Sequence, residues 1–145
     1  MNHAAGFEFL EHTADAYIAA YGKNLAEAFE NAALALFEVM TDTSQVAPAQ
    51  EDKVEVTAED EFSLLYSWLE ALLVKSDTSQ MLYSKFKILE IYEASDSFRL
   101  KAKIWGEKFN SKKHLQKVGV KAVTYHRMEI LKDSQKVTLR FILDI

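Results

Sequence analysis

The 145-residue sequence contains no cysteine and a single proline. Without thiols it can form no disulfide, no thiolate zinc site and no cysteine nucleophile, and the composition favours a reducing compartment. Only four glycines occur. None has the spacing of a GxxxxGK or GxGxxG loop, so a phosphate cradle of either type is excluded. HExxH and GxSxG are likewise missing. The four histidines, His3, His12, His114 and His126, are scattered, with no local pair at metal-ligand spacing. No apolar run reaches the roughly 20 residues that span a bilayer, and MNHAAGFEFLEH lacks the basic-then-apolar pattern of a secretory leader. The expectation is a cytoplasmic protein with no membrane partner. A net charge of −5, from 22 acidic and 17 basic residues, argues against tight direct binding to nucleic acid, which rests on neutralised phosphates. The lysines of the C-terminal half, Lys101, Lys103, Lys108, Lys112, Lys113, Lys117 and Lys121, read as a solvated face rather than an RNA footprint.

The residues that are present alternate and recur in ways that specify elements. Phe7 and Phe9 open one short extended run, and Tyr17 to Tyr21 form another that ends at Gly22. Asn24 then stands as a helix N-cap, with Glu27 three residues on to close a capping box. Leu25, Ala28, Phe29, Ala32, Leu36, Val39 and Met40 recur at helical spacing as far as about Thr41. DTSQVAPAQED, which holds Pro48, reads as a surface loop, and KVEVTAE as a half-buried strand. Asp60 caps a second helix with the stripe Phe62, Leu65, Tyr66, Leu69, Leu72 and Leu73, and Trp68 widens that stripe. Tyr66, Trp68 and Trp105 read as core or interface aromatics, core being the stronger reading. Four strands follow: MLYSKFKILEIYE, FRLKAKIWGEKF, VGVKAVTYHRMEIL and KVTLRFILDI, separated by polar turns including a lysine-rich loop from Asn110 to Lys117. This order predicts a single-domain α+β fold over residues 1–145. Two amphipathic helices would cover one face of a single, largely antiparallel or mixed sheet in a two-layer arrangement.

Two acidic features could carry chemistry. Asp15 closes EHTAD between two short strands, and Asp144 lies one residue before Ile145, into which an apolar strand runs directly. A strand that is ordered to its last residue holds its terminal carboxylate in place. If the first and last strands pair, Asp15, Asp144 and the carboxylate of Ile145 meet at one sheet end. Three such groups repel without a proton or cation, and an all-oxygen set suits calcium, magnesium or manganese better than zinc. The plainer alternative stays open: Asp15 caps a turn and Asp144 keeps the chain end soluble. His12, Lys121 and His126 are candidate supporting or partner-contact residues, although each also reads as an ordinary structural or solvent-facing side chain.

The same segments resemble a known family along nearly the whole chain. FEFLEHTADAYIAAYGKNLAEAFENAALALFEVMTD, LLYSWLEALL, SKFKI, LKAKIWGEKF, VKAVTYHRMEI and the terminal FILDI, in this order, are similar to the archeases. The resemblance implies a compact α+β protein that is not itself an enzyme. Its partner would be an RtcB-type RNA ligase of tRNA splicing, which joins 2′,3′-cyclic phosphate or 3′-phosphate ends to a 5′-hydroxyl using manganese and a guanylylated histidine. Archeases promote that guanylylation, allow repeated turnover and relax nucleotide preference. The family's metal site carries onto Asp15, Asp144 and Ile145, with calcium as the associated ion. Where the common pattern often has Val-Gly after HTAD, this chain has Ala16-Tyr17. Two rival readings remain: a metal-dependent phosphoesterase, and a chaperone-like adaptor binding proteins through an apolar patch.

Overall fold

The structure is a computed structural model that describes residues 6–10 and 15–145. The chain begins with strands β1 (Phe7–Leu10) and β2 (Ala16–Gly22), then helix α1 (Leu25–Met40) and a 3-10 turn at Thr43–Gln45. Strand β3 (Gln50–Ala58) leads into helix α2 (Glu61–Ser79). The remainder is strands: β4 (Met81–Glu93), β5 (Phe98–Lys108), β6 (Ala122–Val123), β7 (Glu129–Lys132) and β8 (Val137–Asp144).

Both helices lie where their caps predict, but Phe62 of the second stripe is exposed at the first turn, and Leu64 is buried in its stead. Asn24 accepts from the Glu27 amide at 2.8 Å, but Glu27 returns its carboxylate to the Lys23 amide at 2.9 Å, one residue before the cap. In α2 the box closes between Asp60 and Ser63, whose backbone and side-chain groups bond reciprocally. On α1, Ala28, Ala32, Ala33 and Ala35 are fully buried. Their small side chains let the helix lie close to the strands beneath it, and Phe29, Leu36 and Phe37 fill the space on either side.

The strands depart from the single sheet expected. They form two antiparallel sheets: one in the order β1-β2-β8-β6 with β7 also on β8, the other in the order β3-β5-β4. The chain ends build the first sheet and the middle of the chain builds the second. Helix α1 packs against β2 and β8 on one side and β4 on the other, and α2 packs against β3, β4 and β5 and the β6–β7 edge. The helices therefore join the two sheets into one core. Two further expectations are corrected. Strand β3 starts at Gln50, inside the segment read as loop. The run VGVKAVTYHRMEIL is two strands rather than one, because the chain turns at Tyr125–Met128, where Arg127 takes a left-handed φ of 56°.

Irregular points in the second sheet are satisfied from outside it. Strand β4 bulges between Ile88 and Glu90, and the Ile88 amide donates to the Glu30 carboxylate of α1 at 2.8 Å. A second bulge lies between Tyr83 and Lys85, close to where Gly106 of β5 crosses β4. A Cβ at Gly106 would collide with the Leu82 carbonyl, so no other residue fits there. Trp68 is fully buried and its indole N–H donates to the Phe29 carbonyl at 2.9 Å, tying α2 to α1. Trp68→Ala should lower stability by about 3–5 kcal/mol, measured as a shift in the urea unfolding curve.

Candidate functional site

The geometry of the site follows from one ladder. β2 and β8 pair over seven residues, from Gly22 opposite Val137 to Ala16 opposite Leu143. Ile18, Ala20, Leu139, Phe141 and Leu143 are buried beneath α1 on one face of this ladder. The opposite face carries Tyr17, Tyr21, Arg140 and Ile142 by strand alternation. The ladder ends at Ala16 opposite Leu143: Asp15 lies in a bend that precedes β2, and Asp144 is the last residue of β8.

Strand β6 closes the other side of β8. Ala122 faces Asp144, and the Lys121 amide donates to the Asp144 carbonyl at 2.7 Å. The Thr124 amide and hydroxyl both donate to the Ile142 carbonyl, at 3.3 and 3.0 Å. Asp144 is thus held from the β6 side, and Ile145 packs half-buried against the core. Of the residues singled out in the sequence, Asp144 and the main chain of Lys121 are joined here, Ile145 follows directly, and Asp15 precedes Ala16, the partner of Leu143. The Lys121 side chain is solvent-exposed, and His126 is exposed in the turn between β6 and β7. His12 lies outside the described residues. Among the described residues, no three His, Cys, Asp or Glu side chains gather as a metal set. Asp15 and Asp144 supply two carboxylates.

Sequence reasoning missed two neighbours of this end. The turn places the Arg127 guanidinium over the Tyr17 ring, 5.0 Å from its centroid. On the helix side of the turn, Tyr125 stacks on Tyr66 of α2, centroids 4.4 Å apart and planes 7° from parallel. Burial, and then the nearby Glu70, push the Tyr66 phenol above its ordinary range; Tyr125 is raised by burial and by Asp60 and Glu70. Arg127 had no local signal, because its position depends on a turn inside what reads as a continuous strand.

This chain matches the archease protein family (MTH1598/TM1083) over residues 7–145. The chain belongs to the archease family. Protein archease of Sulfurisphaera tokodaii is 51% identical over 139 residues, covering 96% of this chain and 98% of that protein. Protein archease of Methanothermobacter thermautotrophicus is 51% identical over 140 residues, covering 97% and 99%. The solution structure of Methanobacterium thermoautotrophicum protein 1598 superposes with a TM-score of 0.85 at 51% identity, over 97% of this chain and 99% of that one. A Thermotoga maritima archease, described as a possible chaperone, shares the fold at a TM-score of 0.59 and 16% identity, over 95% and 96%.

Within the archease framework, Tyr17 is accommodated without breaking the ladder. Its register with Leu10 and Ile142 is regular, and only 8% of its surface is exposed. The Arg127 guanidinium covers its ring.

A second polar cluster, around His114, is structural in character. Asn110 donates its amide to His114 Nδ1 at 2.9 Å, so that nitrogen is bare and Nε2 carries the hydrogen that reaches Glu107 at 2.8 Å. Glu107 also accepts from the Ala47 amide at 2.9 Å and from Lys113 at 2.7 Å. These donors, Lys113 first, hold its carboxyl at about 2, well below its ordinary 4.5. Together they fasten the 109–119 loop to β5. Because the folded pKa is depressed, the contribution of Glu107 is complete above pH 4.5 and is lost as pH falls toward 2. Glu107→Gln should flatten the pH dependence of the unfolding midpoint across that window relative to the unsubstituted protein.

Proposed function

We propose that this archease activates an RtcB-type RNA ligase in tRNA splicing, promoting its guanylylation and repeated turnover. In this reading the chain binds a divalent cation, calcium by preference, through Asp15, Asp144 and the main-chain carboxylate of Ile145. The observation that supports the reading is the β2–β8 register, which ends at Ala16 opposite Leu143, one residue from Asp15 and one from Asp144, with Ile145 packed against the core. An oxygen-only donor set of this kind fits a hard cation, with magnesium and manganese as competitors to calcium. Arg127 lies over Tyr17, two residues from Asp15, and brings a positive charge to this end of the sheet.

The protein acts here through its partner and performs no bond-making of its own. A bias of about 1.4 kcal/mol toward the ligase state that attacks the nucleotide α-phosphate changes the rate tenfold, so a modest docking contribution suffices. The charge balance of the chain agrees with contact through a protein rather than directly with RNA.

The deciding measurement is the guanylylation rate of the cognate ligase with manganese, at substoichiometric amounts of this protein. Acceleration is expected, and Asp15→Ala or Asp144→Ala should reduce it by about tenfold or more while leaving the unfolding transition intact. No acceleration would sink the proposal. Cleavage of RNA or nucleotide without ligase would favour the phosphoesterase reading, and aid to unrelated client proteins that survives Asp15→Ala would favour the adaptor. Extending the chain beyond Ile145 by several residues should weaken calcium binding, read by isothermal titration calorimetry, together with ligase activation. Equal affinity and activity for the extended protein would remove the terminal carboxylate from the site.

A further inference from the structure

Strand β3 is the outer strand of its sheet: among the described residues β5 lies on one side and no strand on the other. In an antiparallel pair, alternate residues direct their peptide groups away from the partner, so about half of this nine-residue strand offers unused N–H and C=O groups. The Lys53 amide identifies which half. It donates to the carboxylate of its own neighbour Asp52 at 3.0 Å and not into the β5 ladder. Lys53 therefore faces the open side, and by alternation so do Glu51, Glu55 and Thr57. A long open edge is a template for another strand, and a lysine at its centre repels indiscriminate pairing.

We propose that the occupant is a second copy of this chain, paired antiparallel through β3 about a two-fold axis at Val54. In that register each Lys53 lies opposite the other copy's Glu55, twice over, and each Glu51 opposite Thr57. All of these positions carry outward-facing peptide groups. Moving the centre to Lys53 sets lysine on lysine and Glu51 on Glu55, and moving it to Glu55 sets glutamate on glutamate. Like charges directly opposite destabilise a ladder and opposite charges support it, which favours the Val54 register over those two. Among the described residues neither Lys53 nor Glu55 is committed to an ion pair, whereas Glu51 holds Lys103.

Helix α2 supports the same arrangement independently. Beside β3 runs an open groove of about 550 Å³ whose walls include Val54 and Val56 on the strand and Ser67, Ala71, Val74 and Thr78 on the helix. These helix positions are spaced four, three and four apart, making one stripe of small side chains, and Val74 is 54% exposed. Two helices packed across the axis need an interaxial distance of about 8–10 Å, which small side chains permit. The pairing would cover Val74 and join the two three-stranded sheets into one of six.

Sedimentation equilibrium on the intact protein tests this without reference to the ligase reading. The unsubstituted chain should self-associate to a dimer as concentration rises toward millimolar, less strongly at high salt. Lys53→Glu and Glu55→Lys should each weaken association by about tenfold or more. At positions 53 and 55 one variant then carries two acids and the other two lysines, so an equimolar mixture should form the heterodimer that neither variant forms with itself. An unsubstituted protein that stays monomeric to millimolar concentration would overturn the proposal. So would single variants that dimerise like the parent, or a mixture that stays monomeric.

Discussion

The antiparallel pairing of β2 with β8 is the constraint on which the remaining structure depends. It joins strands from opposite ends of the sequence, from Ala16–Leu143 to Gly22–Val137. Its inner face supplies Ile18, Ala20, Leu139, Phe141 and Leu143 to the core under α1. Closing so long a loop costs chain entropy before any contact repays it, so this ladder rests on that burial rather than on its hydrogen bonds alone. A slip of one residue would turn five buried side chains to the opposite face. The register is therefore held by the core, and the acidic sheet end inherits its geometry from the same packing.

The second sheet is joined to the first through the helices, and polar side chains at its irregular points keep it in register. Glu30 takes the Ile88 amide released by a bulge, and Asp52 accepts the Tyr83 hydroxyl at 3.1 Å while pairing with Lys75 of α2 at 3.4 Å. Burial, with Asp52 beside it, pushes the Tyr83 phenol well up, so it remains a neutral donor. Glu107 and His114 do the same work for the long loop after β5. In each case a buried or bulged polar group has a partner from another element, which makes the alternative registers costly.

The functional reading and the edge-pairing reading use different parts of this architecture. The proposed site lies at the end of the first sheet, near Arg127 over Tyr17 and the Tyr66–Tyr125 stack. Strand β3 belongs to the other sheet. A molecule with two such surfaces could present the proposed sites in pairs, which raises the effective concentration of one when the other is engaged.

Much of this was legible in the residues. The helical stripes, the caps at Asn24 and Asp60, the strand segments and the α+β class rest on local periodicity and capping chemistry, which a sequence carries within a few positions. The family resemblance, carried by ordered segments from FEFLEHTAD to FILDI, reached the same fold. The division into two sheets was not legible, because strand partners across 120 residues are chosen by packing under α1 rather than by either strand. Nor was the break at Arg127, whose left-handed backbone is set by its cover over Tyr17, or the buried His114, which looks like any loop histidine until Glu107 and Asn110 surround it. Local interactions determined which elements form and which acids stand at their ends. Only the tertiary structure decided that those ends meet, because their proximity depends on side chains buried far from either in sequence.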